Sequence, residues 1–179
     1  MTSISDIQAL IVDDNEQMLR LLRGVLRAAG LVNLHVAESV AAARDIKRHR
    51  NIDLILLDWK MAPIDGLSFA RELRRDSGSG NPYVPIVMLT AHTEASRVLA
   101  ARDAGVSCFI KKPISTQLLI DRLTFALTDH RCFIRTEDFI GPDRRHCVNP
   151  HYRGPHRRED DHCNEPRDTF DLDDAVVSL

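Results

Sequence analysis

The sequence predicts a doubly wound α/β domain: a five-stranded parallel sheet covered by helices on both faces, with a largely irregular C-terminal extension. Three observations carry this. Five short apolar runs alternate with helix-periodic segments between Ile7 and Thr128. Residues suited to a metal or a phosphate stand at the ends of four of those runs. Near His130 the composition changes and the alternation stops.

Each element has its own warrant. Residues 7–12 form a short, continuous, β-branched run, which reads as a strand buried on both faces. Leu19, Leu22 and Leu26 recur at helical spacing over 16–29, and Gly30 is a natural stop. A second strand is expected over 33–37 and a helix over 40–48. Residues 54–57 are the third strand and 67–75 the next helix. The stretch Ser77-Gly78-Ser79-Gly80-Asn81-Pro82 is a turn by composition. The fourth strand falls at 86–89, and a helix over 94–104 closes at Gly105. Residues 107–110 give the fifth strand. Ser115 caps a last helix running to about 128, with Leu118, Leu119, Ile120 and Leu123 on its buried side. Connections between parallel strands are right-handed, which leaves few other topologies.

The carboxyl ends of parallel strands share one edge, where ligands bind. Asp13 and Asp14 follow the first run, Asp58 the third, Thr90 the fourth and Lys112–Pro113 the fifth. Three carboxylates, a hydroxyl and an ammonium would therefore converge. That set suits Mg2+, which favours oxygen ligands, together with a phosphoryl group. Asp58, on the central strand, is the candidate nucleophile, since an aspartyl phosphate is a chemically competent intermediate. Lys112 would pair with phosphoryl oxygens and Thr90 would donate its hydroxyl. The plain alternative is a rim of solvated acidic turns, with Asp14 as a helix N-cap. Trp59 reads as a packing residue with a partly exposed ring, Cys108 as core, and His35, His49 and His130 as surface.

Composition excludes several classes. The chain has 179 residues and a formal net charge of −2, so no global basic field points to DNA. No stretch approaches the roughly 20 apolar residues of a membrane span. The N-terminus lacks a basic segment followed by an apolar one, and Cys108, Cys132, Cys147 and Cys163 show no paired spacing. A cytoplasmic protein with reduced thiols is the expectation.

The boundary is expected at 130, with the α/β domain over 6–130 and an arginine-rich extension over 131–179. The extension lacks apolar periodicity and contains no Lys, so most of it should be unstructured alone. It nevertheless carries a duplication. Phe139-Ile140-Gly141-Pro142-Asp143-Arg144-Arg145 and Tyr152-Arg153-Gly154-Pro155-His156-Arg157-Arg158 agree at five of seven positions: an aromatic residue, Gly, Pro, Arg and Arg. Arg pairs bidentately with phosphate and with guanine O6 and N7, and its plane stacks on bases, as Phe139 and Tyr152 would. Asp143 and either Asp160 or Asp161 would accept from a guanine edge. The two Gly-Pro pairs would form turns that aim the arginines. Arg135, just upstream, joins the candidate set. A two-fold motif matches a two-fold ligand, cyclic di-GMP. Two other readings stay open: a solvated or protein-docking arm, and a metal site using His146, Cys147, His151, His156, His162 and Cys163. The imidazole and thiol spacing is wider than compact zinc sites use.

The residues of the first two-thirds resemble the receiver domain of CheY-like bacterial response regulators. The resemblance rests on Val12-Asp13-Asp14, on Leu57-Asp58-Trp59-Lys60-Met61-Ala62-Pro63-Ile64-Asp65-Gly66, on Leu89-Thr90-Ala91, on Ala104-Gly105 and on Lys111-Lys112-Pro113. It implies a flavodoxin-like fold and phosphorylation of Asp58 by a histidine kinase. It implies Mg2+ held by Asp13 or Asp14, by Asp58 and by the Lys60 backbone carbonyl. It also implies a coupled movement of Thr90 and Phe109, the latter standing where the family often has Tyr. Lys60 and His92 fall where the family tunes phosphate lifetime. The extension resembles that of CheY-like proteins that bind cyclic di-GMP and act on the flagellar motor, although His156 replaces Asp143 in the second arm.

Two function classes follow. One is a response regulator whose tail reads cyclic di-GMP and which docks on a protein target such as the flagellar switch. The other is a phosphorelay receiver with a passive or metal-binding tail and no nucleotide dependence. An enzyme acting on free substrates finds no support, because no separate general base or substrate pocket is apparent. The extension also lacks the apolar pattern of a helix-turn-helix output.

Overall fold

The computed structural model describes residues 4–75, 81–91, 94–129, 133–135 and 139–142. A short 3-10 turn, Ile4–Asp6, leads into β1 (Gln8–Val12), followed by α1 (Glu16–Ala28), β2 (Asn33–Ala37), α2 (Val40–His49) and β3 (Leu54–Asp58). Then come α3 (Gly66–Arg75), β4 (Ile86–Thr90), α4 (Ala95–Asp103), β5 (Cys108–Lys111) and α5 (Thr116–Thr128). The five strands pair in parallel in the order β2-β1-β3-β4-β5. This is the doubly wound, flavodoxin-like receiver fold that the sequence predicts.

Strand pleating assigns the core. Leu10, Val12, Ile55, Leu57, Ile86, Met88 and Phe109 face α2, α3 and α4, where Phe69, Leu73 and Ala101 meet them. The alternate residues Ala9, Ile11, Leu54, Leu56, Val87, Leu89 and Ile110 face α1 and α5, against Leu22, Leu26, Leu119 and Leu123. Both faces of β3 and β4 are buried throughout, which is why those strands read as unbroken apolar runs. Asn15, not Asp14, caps α1, accepting from the backbone N–H groups of Gln17 and Met18. Ser39 and Ser115 cap α2 and α5 in the same way.

The extension is less irregular at its root than its composition suggests. Phe133–Arg135 (β6) and Ile140–Pro142 (β7) pair antiparallel, with Ile134 opposite Gly141. Gly141 and Pro142 are buried. A Cβ on Gly141 would fall 2.7 Å from the Cα of Gly105, and a Cβ on Gly105 would overlap the Ile140 carbonyl oxygen. Gly105 also has a positive φ of 77°. Two glycines therefore let the strand press against the turn before β5. The expected turn at Gly141–Pro142 is instead strand, because close backbone packing consumes the glycine.

Arg74 anchors this region. It lies on the buried side of α3 and is only 3% exposed. Its Nε donates to Gly105 O at 3.0 Å, and its Nη1 donates to Pro82 O and Val84 O, each at 2.7 Å. Phe133 closes over it, with Tyr83 meeting that ring edge-on at 5.4 Å between centroids. Burial pulls the guanidinium down to about 9, still above neutral pH, so the buried group is charged.

Candidate functional site

The site sits at the carboxyl edge of the sheet, where the helix layers diverge on either side of β1 and β3. A cleft of about 500 Å³ is lined by Asp13, Asp14, Asp58, Lys60, Thr90 and Lys112, among others. Five chain segments contribute, and each is held by backbone bonds. The Asp13 N–H donates to Ala37 O on the neighbouring strand. Trp59 N–H donates to Leu89 O at 2.9 Å, and Lys112 N–H donates to Thr90 O at 2.7 Å. The Lys112–Pro113 peptide is cis.

Asp13 and Asp58 are buried at 1% and 5% exposure, whereas Asp14 is exposed. Lys112 bridges the two buried acids: its Nζ lies 2.7 Å from Asp58 Oδ1 and 3.2 Å from Asp13 Oδ2. Asp58 Oδ2 accepts from the Lys60 backbone N–H at 2.9 Å, and Asp13 Oδ1 accepts from the Asn15 N–H at 2.8 Å. Burial raises the Asp58 carboxyl above its usual range, and the charge of Asp13 pushes the same way. Lys112 and the Lys60 N–H pull it back only partly. Burial pulls the Lys112 ammonium down, but its bonds and charge contacts with Asp58 and Asp13 outweigh that and hold it above its usual value.

Carboxylate oxygens of Asp13, Asp14 and Asp58 all lie within 4.8 Å of one another. At the acid cluster itself three carboxylates share the one ammonium of Lys112, while Lys60, Arg97 and Asp65 also line the cleft, so the cluster carries net negative charge. An all-oxygen donor set of that charge fits a hard divalent cation such as Mg2+.

Residues 9–124 match the family model described as the response regulator receiver domain. The chain belongs to that family. The chemotaxis protein CheY of Pseudomonas aeruginosa is 29% identical over 117 residues, covering 65% of this chain and 93% of that protein. Chemotaxis protein CheY-3 of Vibrio cholerae is 28% identical over 118 residues, covering 66% and 89%. Among solved structures, a putative response regulator from Chloroflexus aurantiacus superposes with a TM-score of 0.62 at 30% identity, covering 68% of this chain and 97% of its own. Vibrio cholerae CheY4 gives 0.63 at 24% identity, covering 68% and 98%, a likeness of fold. The family match ends before β6, so the hairpin and everything after it lie outside it.

Of the residues singled out in the sequence, Asp13, Asp14, Asp58, Lys60, Thr90 and Lys112 are brought together at the cleft. Phe109 is not in its lining. It is buried in the core on the α2–α4 side of β5, opposite Met88. Trp59 is half-buried against the same core, and Cys108 is buried. His49 is exposed as expected, but His35 is partly buried and its Nε2 lies 2.9 Å from Gln8 Oε1. Arg135 is exposed on β6, and Phe139 is half-buried just before β7. His92, His130, Asp143, Arg144, Arg145, Tyr152, Arg153, Arg157, Arg158, Asp160 and Asp161 lie outside the described residues, as do the tail histidines and cysteines.

Gly66, already part of the motif, gains a structural reason, and Arg97 escapes a reading of motifs altogether. Gly66 opens α3 by donating its N–H to Trp59 O at 2.9 Å, and a Cβ there would overlap the Asp58 carbonyl oxygen. Arg97, from the first turn of α4, lines the cleft and lies over the Trp59 ring, 5.8 Å from its centroid. No sequence spacing pairs 97 with 59. Only the β4–α4 crossover does.

Proposed function

We propose that this chain is a phosphorylated response regulator in which Asp58 accepts a phosphoryl group from the phosphohistidine of a histidine kinase. The observation that carries the reading is the Lys112 bridge: an ammonium 2.7 Å from a buried carboxylate, inside a cluster of three acids. Asp58 supplies the attacking oxygen. Lys112 is placed to follow the transferred group, and Thr90 lies on the next strand to meet it with a hydroxyl. Asp13, Asp14, Asp58 and the Lys60 carbonyl would hold Mg2+, which would neutralise phosphoryl oxygens during transfer. Phe109, buried against β4, is the aromatic partner for a Thr90 movement that alters the protein's docking face. Acid-labile phosphate on the wild-type chain, lost in Asp58→Asn, tests the acceptor. Equal labelling of the variant would reassign it.

The tail is the second part of the reading. The arms at 139–145 and 152–158, with Arg135 and Asp161, would bind cyclic di-GMP through bidentate arginines and stacked aromatics. The output is docking on a protein target, with the flagellar switch the leading case because the relatives are chemotaxis proteins. Calorimetry of the full chain with cyclic di-GMP should show binding that Arg144→Ala and Arg157→Ala abolish. Absent binding would leave a phosphorelay receiver with a passive or metal-binding tail. The burial of Gly141 and Pro142 against Gly105 favours that second reading for the first half of the first arm, which has a packing role without any ligand. The packing of β6 on Arg74 and of β7 on Gly105 supports a folded unit that continues past the boundary expected at 130.

A further inference from the structure

We infer that Arg97 recognises the phosphodonor: its guanidinium, aimed by stacking on Trp59, draws a phosphoryl dianion into the Asp58 cleft. The inference rests on Asp58 being the acceptor and adds a residue to that site.

The electrostatics create the need. A donor such as an acyl phosphate or a phosphohistidine brings negative charge toward Asp13, Asp14 and Asp58. Lys112 already spans two of those acids, and even with Mg2+ bound the three acids, Lys112 and the metal carry no net positive charge, so a further cation at the mouth favours the approach. Arg97 lines the same cleft. It sits in the first turn of α4, so the strand–helix crossover delivers it to the carboxyl edge of the sheet.

Its side chain is restrained but not used up. The ring of Trp59 lies under the guanidinium, and the backbone N–H of Trp59 donates to Leu89 O. Glu94 Oε2 is 3.7 Å from Arg97 Nε, too long for a strong hydrogen bond. The side chain keeps 41% exposure, so an anion can reach it from solvent. A planar fork with several N–H donors matches phosphoryl oxygens better than a point charge does. During transfer an Asp58 oxygen attacks phosphorus and forms the new O–P bond. The bond from phosphorus to the donor's leaving atom breaks, and that atom keeps the electron pair. Arg97 keeps its proton throughout and acts through charge and hydrogen bonds.

The test is the initial rate of phosphorylation of the full-length chain by acetyl phosphate with Mg2+. It is read by the emission of Trp59, the single tryptophan, and by intact mass. Arg97→Ala should lower the slope of rate against acetyl phosphate about tenfold. It should also flatten the fall of that slope with added salt, which a merely structural role would not do. Arg97→Lys should recover part of the rate, keeping the charge but losing the planar fork. An unchanged slope and salt dependence in Arg97→Ala, with wild type labelled normally, would overturn the inference and leave the acceptor untouched. A wild-type chain that takes no phosphoryl group at Asp58 would overturn the acceptor and this inference together.

Discussion

The Arg74 guanidinium lies 5.3 Å from the centroid of the Phe133 ring, so the first strand after α5 closes over a cation buried in the receiver. Three backbone carbonyls accept from Arg74, and one of its nitrogens, Nη2, has no hydrogen-bond partner among the described residues. Such a group is stable only while water is replaced by good partners. Phe133→Ala removes the ring and is expected to cost about 1–2 kcal/mol. A chain ending at Asp129 should lose more, about 2–4 kcal/mol, because the Gly141–Gly105 contact goes as well. Thermal and urea unfolding of both variants checks this. An unchanged Tm in the shorter chain would make the hairpin a passenger.

Gly66 makes the same kind of argument at the opposite edge of the sheet. Its Cα sits so close to the Asp58 backbone that any side chain displaces either α3 or the end of β3. Gly66→Ala should therefore destabilise the fold by about 2 kcal/mol or more. It should also depress phosphorylation of Asp58 beyond what the lost stability explains. Rates measured well below the variant's Tm separate the two effects. A variant as active as wild type would show that β3 tolerates the shift.

The alternation of apolar runs and helical segments made the sheet legible, since fully buried parallel strands have little choice of residue. The receiver site was legible because Asp13, Asp58, Thr90 and Lys112 each end or follow a strand, and topology alone gathers strand ends. What escaped depends on tertiary contact. Arg74 follows Ala70 by four residues and so shares its helix face, yet only the three carbonyls and Phe133 that receive it make burial of a charge there possible. The β6–β7 pair is too short for periodicity, and Gly141–Pro142 carries a turn signature that close packing overrides. The contact of Arg97 with Trp59 joins residues 38 positions apart by numbering and has no local signal.

Asp58→Asn should stabilise the protein at neutral pH. The folded-state carboxyl is raised, chiefly by burial, so ionised Asp58 disfavours the folded state. That penalty is absent below the unfolded-state value and grows as pH rises through the folded one. The variant's advantage should be about 1 kcal/mol, or roughly 3 °C in Tm, at pH 7. It should shrink as pH falls through the carboxylate range. A variant less stable than wild type at pH 7 would mean that the bond to Lys112 outweighs the cost of burial.

Mg2+ should act on the same imbalance from the other side. A cation held by Asp13, Asp14 and Asp58 binds the folded chain and stabilises it by mass action, about 2.7 kcal/mol at a hundred times its Kd. Because Trp59 adjoins Asp58 and lines the cleft, its emission should change over the same concentration range. Asp13→Asn removes a buried ligand and should weaken both responses at least tenfold. Asp14→Asn should do less damage to folding, since that side chain is exposed, while still reducing affinity. NaCl added at matched ionic strength separates site binding from general screening. A Tm that rises equally in wild type and Asp13→Asn would place the metal elsewhere and leave the acid cluster balanced by Lys112 alone.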